Sequence, residues 1–232
     1  MNSIRGKISI NIVLICLAVF NRLHVVAQDS TCQAYAATDN DQLLRKTFVP
    51  ACLLAGSMAT WHYRKDFRDL RNKYMPGFCH HYDDYLQYAP AALVFSLKTA
   101  GVRGKYNTKR TVVSYVLSSF IMAGLTNSLK YTSRVERPDG SARNSFPSGH
   151  TANAFMNASF LDHEYGNRSL GYSVFGYTAA TITAMTRQFN NRHWVPDILA
   201  GAAIGMLSAE LGNYLAGKIC KKDRKRTCCV LL

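Results

Sequence analysis

Five stretches of this chain carry no charged side chain, apart from Asp197 in the last of them. They are residues 47–62, 85–97, 111–129, 169–186 and 194–209. Several approach the ~20 residues that a helix needs to cross a bilayer, and strand signals are nearly absent. The stretches are rich in serine, threonine, glycine, alanine and tyrosine, and small residues favour close helix packing in membranes. We therefore predict membrane-embedded helices, with a buried soluble bundle as the alternative.

The two ends of the chain differ from this helical region. Arg5 and Lys7 precede an apolar run, and small residues at 25–27 resemble a signal cleavage site. At 232 residues the remainder suits one domain. We predict a signal peptide or N-terminal anchor, a polar lead-in, a helical-bundle domain and a basic C-terminal tail, at 1–27, 28–46, 47–217 and 218–232.

The charge of the chain points to an anionic partner. It has 28 Lys and Arg against 14 Asp and Glu, a formal net charge of +14. Such a balance suits phosphate, phospholipid headgroups or nucleic acid, but no nucleic-acid motif is present. Six basic residues lie within 218–226, as in cytoplasmic clusters beside a membrane helix. If the N-terminus is exported and the loop after Lys130 lies on the same side, an even number of helices must cross the membrane before Lys130. Three charge-free stretches lie there, so one of them would not cross.

Three short segments carry the residue types that phosphoryl transfer requires. In the first segment, six residues separate Lys130 from Arg137-Pro138. The second segment is Pro147-Ser148-Gly149-His150. In the third, five residues separate Arg187 from His193, and three separate His193 from Asp197. A phosphate monoester carries up to two negative charges, and its equatorial oxygens gain electron density in the transition state. Each segment alone is a weak signal, but their roles are complementary.

The first role is phosphate binding. Lys130, Arg137 and Arg187 would neutralise the phosphate charge, and the planar guanidinium matches phosphate oxygens bidentately. Ser148 can donate its hydroxyl, and Gly149 lets a backbone N–H approach the anion. The sequence after His150 indicates a helix, so this segment is expected at a helix N-terminus, where free amides face an anion.

The second role is catalysis. His193 and Asp197 are four residues apart, and Pro196 suits the first helical position. Asp197 is expected to accept the Nδ1–H of His193 and so raise the nucleophilicity of Nε2. His150 then remains as the general acid that protonates the leaving alkoxide and later activates water.

No metal or cofactor is expected, because the three cations can take the place of magnesium. Cys79-His80-His81, with Asp83 and Asp84 nearby, also suggests a metal site. Adjacent histidines on a polar loop are more often solvated, and the seven cysteines show no zinc spacing.

In these three segments the chain resembles the type-2 phosphatidic acid phosphatase superfamily. That family includes lipid phosphate phosphatases, bacterial acid phosphatases and vanadium haloperoxidases. The one departure is Thr186, where many members carry serine. The resemblance implies an all-α helical bundle of about six core helices, embedded in a membrane. It also implies a phosphohistidine intermediate on His193.

The expected function is a metal-independent phosphatase acting on a membrane lipid phosphate. Lipid A, at its 4′-phosphate, is the favoured substrate; undecaprenyl pyrophosphate, phosphatidylglycerophosphate and phosphatidic acid are alternatives. The expected location is a bacterial inner membrane, with the active site facing the periplasm and no obligate protein partner evident. A soluble periplasmic acid phosphatase, a vanadium haloperoxidase and a membrane scaffold with a degenerate site are the other hypotheses.

Overall fold

The computed structural model describes the backbone of residues 39–230 and the side chains of residues 46–220. This part of the chain forms eight α-helices and a π-helical turn at Asp162–Gly166, and it contains no β-strand. The helices are α1 (Asp39–Thr60), α2 (Arg64–Tyr74), α3 (Asp83–Leu86), α4 (Ala89–Thr99), α5 (Thr108–Ser133), α6 (Gly149–Leu161), α7 (Leu170–Phe189) and α8 (Val195–Val230).

The predicted all-α bundle of about six core helices is confirmed. α2 buries no residue and α3 has four residues, so the other six helices make up the bundle. The predicted signal or anchor at 1–27 lies outside the described residues. α1 begins at Asp39, within the predicted lead-in, and α8 continues to Val230, within the predicted tail.

α8 is the central helix, and two of its glycines set its distance from α6. A methyl group on Gly201 would press against the carbonyl oxygen of Ser148, and one on Gly205 would overlap that of Ala152. Residues further along α8 thus contact residues further along α6, so the two helices run parallel. Such small residues let backbones approach closely. Consequently α6 and α8 begin at the same end of the bundle.

α5 and α1 run in the opposite direction and end where α6 and α8 begin. Gly212 of α8 lies against Ser118 of α5, and Gly217, later in α8, lies against Arg110, earlier in α5. Near the end of α1, the Ser57 hydroxyl donates a 2.8 Å hydrogen bond to the Pro196 carbonyl at the start of α8. Four helix ends therefore meet at one end of the bundle.

Two helical segments are long and apolar enough to cross a membrane: Thr108–Ser133 and Val195–Cys220. Only 17% of the most apolar stretch of the first is buried in the protein, against 67% for the second. α5 thus presents apolar side chains such as Phe120, which is 75% exposed, on the outside of the bundle. This surface suits lipid, as a membrane-embedded bundle requires.

Two glycine substitutions, one inside and one outside the contact between α6 and α8, are predicted to differ in their effect on stability. Gly205→Ala should destabilise the fold by about 1–3 kcal/mol, because the new methyl group overlaps α6. Gly124→Ala, in α5, meets no atom within 4 Å and should not reduce stability. Thermal unfolding of both variants in detergent tests this, and equal midpoints would contradict the packing argument.

Candidate active site

The second sequence segment lies at the start of α6, as expected. Ser148 is fully buried and caps the helix: its Oγ accepts a hydrogen bond from the Thr151 N–H at 3.4 Å. The same Oγ lies 2.9 Å from Thr151 Oγ1. Gly149 and His150 open the helix, where backbone N–H groups have no intrahelical partner. The N-terminus of α6 can therefore bind an anion.

The third segment runs from the end of α7 to the start of α8, where Asp197 organises the backbone. Its Oδ2 accepts hydrogen bonds from the Trp194 N–H at 2.9 Å and from Ser145 Oγ at 2.5 Å. The first is the return bond of a helix cap, since Asp197 reaches back to the residue before the helix. The carbonyl of Asp197 accepts the Ser148 N–H at 3.0 Å, which joins the starts of α6 and α8.

His193 differs in one contact from the sequence expectation. Its Nδ1 lies 2.8 Å from the Ser145 carbonyl oxygen and 3.7 Å from Asp197 Oδ2. Because a carbonyl can only accept, Nδ1 carries the proton, and Nε2 of the neutral ring keeps a free lone pair. Asp197 therefore acts on the ring at longer range, and through Ser145.

The surroundings of His193 keep its ring neutral. Only 2% of the residue is exposed, and this burial is the largest of the effects that together lower its pKa to about 4. The positive charges of Lys130 and Arg187 lower the pKa further, while Asp197 opposes both effects. A neutral imidazole with a free Nε2 is a competent nucleophile.

The first segment brings two cations to the same place. Lys130, near the end of α5, donates to the Asn144 carbonyl at 2.6 Å. Arg137 donates from Nε to the side-chain oxygen of Asn144 at 3.0 Å. Burial lowers the pKa of Arg137, and so does the positive charge of Arg187. The three predicted phosphate-binding cations are thus close enough to repel one another, an arrangement that a bound anion would relieve.

Arg187, in the last turn of α7, is paired with a carboxylate that the sequence analysis did not assign to it. Its Nη1 lies 2.8 Å from Oδ2 of Asp83, which is fully buried. Neither Nε of Arg187 nor Oδ1 of Asp83 has a partner within the described chain. The ion pair fixes the guanidinium and leaves donors available for a ligand.

His150 also has an acidic partner from α3. Its Nε2 lies 2.8 Å from Oδ1 of Asp84. Burial lowers the pKa of His150, and the charge of Arg187 lowers it further, whereas Asp84 and Asp83 raise it. The sequence analysis considered these two aspartates only as metal ligands with Cys79, His80 and His81.

The structure places both aspartates beside His150 instead. Asp83, Asp84 and His150 each offer a potential metal-ligand atom, all within 4.8 Å of one another. The guanidinium of Arg187 lies 2.8 Å from Asp83 and 3.9 Å from Asp84. Because this positive charge already faces both carboxylates, the cluster suits an orienting role better than a cation site.

The burial of His193 predicts its titration. In protein labelled at histidine, we expect its ring nitrogens to keep the neutral pattern from about pH 8 to about pH 5, because the imidazolium is disfavoured. NMR measures this, and a His193→Gln variant identifies the signals by their loss. A midpoint near the ordinary value of about 6.5 would contradict the electrostatic argument.

The chain is similar to known proteins over the region that holds this site. The PAP2 superfamily profile matches residues 111–219, which contain all three segments. A lipid A 1-phosphatase from Porphyromonas gingivalis is 40% identical over 168 residues, covering 72% of this chain and 38% of that protein. The chain thus spans about two fifths of the length of this curated relative.

Two crystal structures are also similar. LpxE from Aquifex aeolicus has a TM-score of 0.48 and 22% identity, over 62% of this chain and 92% of that one. A transmembrane PAP2-type phosphatidylglycerolphosphate phosphatase from Bacillus subtilis has a TM-score of 0.41 and 17% identity, over 88% and 96%. Residues 111–219, which hold the complete set of segment residues, therefore belong to the PAP2 superfamily.

Proposed function

We propose that this protein is a metal-independent phosphatase that hydrolyses a phosphate monoester on a membrane lipid through a phosphohistidine intermediate. The observation that carries the proposal is the environment of His193. Its ring is buried and neutral, Nδ1 donates to the Ser145 carbonyl, and the charges of Lys130 and Arg187 act on it. A nucleophile without charge, surrounded by cations, suits attack on an anion.

The first chemical step forms the phosphoenzyme. Lys130, Arg137 and Arg187 bind the phosphate oxygens together with the amides that open α6. Nε2 of His193 attacks phosphorus, the bond to the leaving oxygen breaks, and protonated His150 gives its proton to that oxygen. The alcohol product leaves, and the phosphoryl group stays on His193.

The second step releases phosphate. Neutral His150 takes a proton from water, and the water oxygen attacks phosphorus. The bond between phosphorus and Nε2 of His193 breaks, and His150 is protonated again for the next cycle. Asp197 stabilises the positive charge on the His193 ring during both steps, from 3.7 Å away.

A lipid substrate is supported by the surfaces around the site. An apolar groove of about 470 Å³ lies between the ends of α1 and α5 and includes Met58, Trp61, Val135 and Phe146. Val135 is two residues before Arg137, and Phe146 is two before Ser148. An acyl chain in this groove would keep its headgroup at the phosphate site.

We propose lipid A as the headgroup and the periplasmic face of the inner membrane as the place of reaction. The sequence analysis favoured the 4′-phosphate, whereas the named relative is a 1-phosphatase, so we place the 1-phosphate first and the 4′-phosphate second. The basic segment 218–226 lies in the last part of α8, at the end of the bundle opposite the site. A cytoplasmic position for that segment leaves the site outside.

A comparison of purified proteins tests the function. The wild type in detergent should convert lipid A into a product lighter by about 80 Da, the mass of one phosphoryl group. Tandem mass spectrometry identifies the position that was cleaved. His193→Ala should abolish turnover and the trapping of radiolabelled phosphoenzyme, because it removes the nucleophile. His62→Ala, at an exposed histidine outside the site, should behave like the wild type.

The outcomes separate the parts of the proposal. Turnover by His193→Ala at the wild-type rate would reject the mechanism. Cleavage of phosphatidic acid but not of lipid A would keep the lipid phosphatase and reject the headgroup. Preference for small soluble phosphate esters would favour the broad-specificity acid phosphatase.

A further inference from the structure

A basic pocket adjoins the phosphate site at the end of α5. Its volume is about 400 Å³, and it shares Lys130 and Asn144 with the site. The other lining residues are Asn127, Tyr131, Arg134 and Arg143. None of the six is acidic, so the pocket has a positive potential next to the bound phosphate.

The two arginines of this pocket are unpaired. Arg134 and Arg143 are exposed, and neither side chain makes a hydrogen bond or ion pair with any described residue. By contrast, Arg187 pairs with Asp83, and Arg192 pairs with Asp139 at 3.2 Å. Free guanidinium groups are suited to bidentate binding of phosphate or carboxylate.

The position of Arg134 is fixed by the backbone. It follows the last residue of α5 in a left-handed conformation, with φ of 47°. Its N–H donates to the Lys130 carbonyl at 3.3 Å, so both residues belong to the same helix end. The pocket is therefore held at a set place beside the cation that binds the reacting phosphate.

We propose that this pocket binds a second anionic group of the same headgroup, so that the preferred substrates are lipids with two phosphate groups. The inference rests on the proposed function, since a lipid phosphate must react at His193 for a second group to reach the pocket. The volume and the absence of acidic residues suit an anionic sugar headgroup better than a single phosphate ester.

The test compares two lipids and three proteins. The substrates are lipid A with both phosphates and lipid A with only the phosphate that reacts. In the double variant Arg134→Gln/Arg143→Gln, kcat/KM should fall at least about tenfold more for the first than for the second, because charge-assisted hydrogen bonds are lost. Arg103→Gln/Lys105→Gln is the charge-matched control, since it also removes two positive charges and the loop before α5 lies at the other end of the bundle.

Each outcome is decisive. A selective loss on the two-phosphate lipid supports the pocket. An equal fall in kcat/KM on both lipids would overturn the proposal, because the arginines would then act in membrane binding or in folding. A wild type that cleaves neither lipid would reject the proposed function itself.

An independent observation concerns Asp84 and the general acid. Oδ1 of Asp84 lies 2.8 Å from His150 Nε2 and 3.9 Å from Arg187 Nη1. α3 is fixed beside α6, because Asn157 donates to the Gln87 carbonyl at 2.8 Å and Asn153 donates to the Gln87 side chain at 3.0 Å. Asp84 is therefore held against His150 rather than meeting it by chance.

The charges around His150 give this contact a function. Arg187 in α7 disfavours the imidazolium, and so does burial, whereas Asp84 and Asp83 of α3 favour it. The proposed reaction requires the protonated ring for the first step. We propose that Asp84 is a positioning residue that orients the His150 ring and stabilises its protonated form.

Leaving-group dependence tests this role. Phosphatidic acid has a poor alkoxide leaving group that needs a proton, whereas the leaving group of 4-nitrophenyl phosphate needs little protonation. Asp84→Asn should therefore slow hydrolysis of phosphatidic acid at least about tenfold more than hydrolysis of 4-nitrophenyl phosphate. The alkaline limb of the kcat/KM profile should move to lower pH by about one unit. Asp84→Glu should restore part of the rate, and Asp66→Asn, an exposed aspartate in α2, is the control.

The pH profile distinguishes an effect of Asp84 on the His150 ring from a general effect of the substitution on folding. Loss of both activities in proportion, with an unchanged limb, would overturn the assignment. Faster hydrolysis by Asp84→Asn would overturn it too, because Asp84 would then compete with substrate for His150 and Arg187.

Discussion

The buried carboxylate of Asp197 holds the site together. Its Oδ2 accepts from Ser145 and from the Trp194 amide, and its carbonyl accepts the Ser148 amide. A fully buried charge needs such partners, because an unpaired one costs several kcal/mol. One residue thereby connects the loop after α5, the start of α6 and the start of α8. His193 bonds to that same loop through the Ser145 carbonyl.

This connection is possible because α6 and α8 run parallel and close together. Gly201 and Gly205 bring the two backbones into contact, so both helix N-termini reach the same end. There the helix dipoles add to the charges of Lys130, Arg137 and Arg187. Asp83, Asp84 and Asp197 equal the three side-chain cations in formal charge, but the two helix N-termini add partial positive charge that these carboxylates leave uncompensated. An anion completes the balance.

The sequence predicted the helices and the three segments, because each depends on local spacing. It did not predict contacts between distant residues: Asp83 is 104 residues from Arg187, and Ser145 is 52 residues from Asp197. The direct bond expected between His193 and Asp197 assumed that both lie in one helix. α8 begins at Val195, so His193 lies in the preceding loop and its ring turns toward Ser145.

The two histidines have opposite requirements under the proposed mechanism, and their carboxylates differ accordingly. The nucleophile must be neutral: His193 is 2% exposed, and its carboxylate stands 3.7 Å away. The acid must be protonated: the side chain of His150 is 33% exposed, and its carboxylate stands 2.8 Å away. Because Arg187 disfavours the cation on both rings, the distance to the nearest carboxylate and the access to water decide which ring holds the proton.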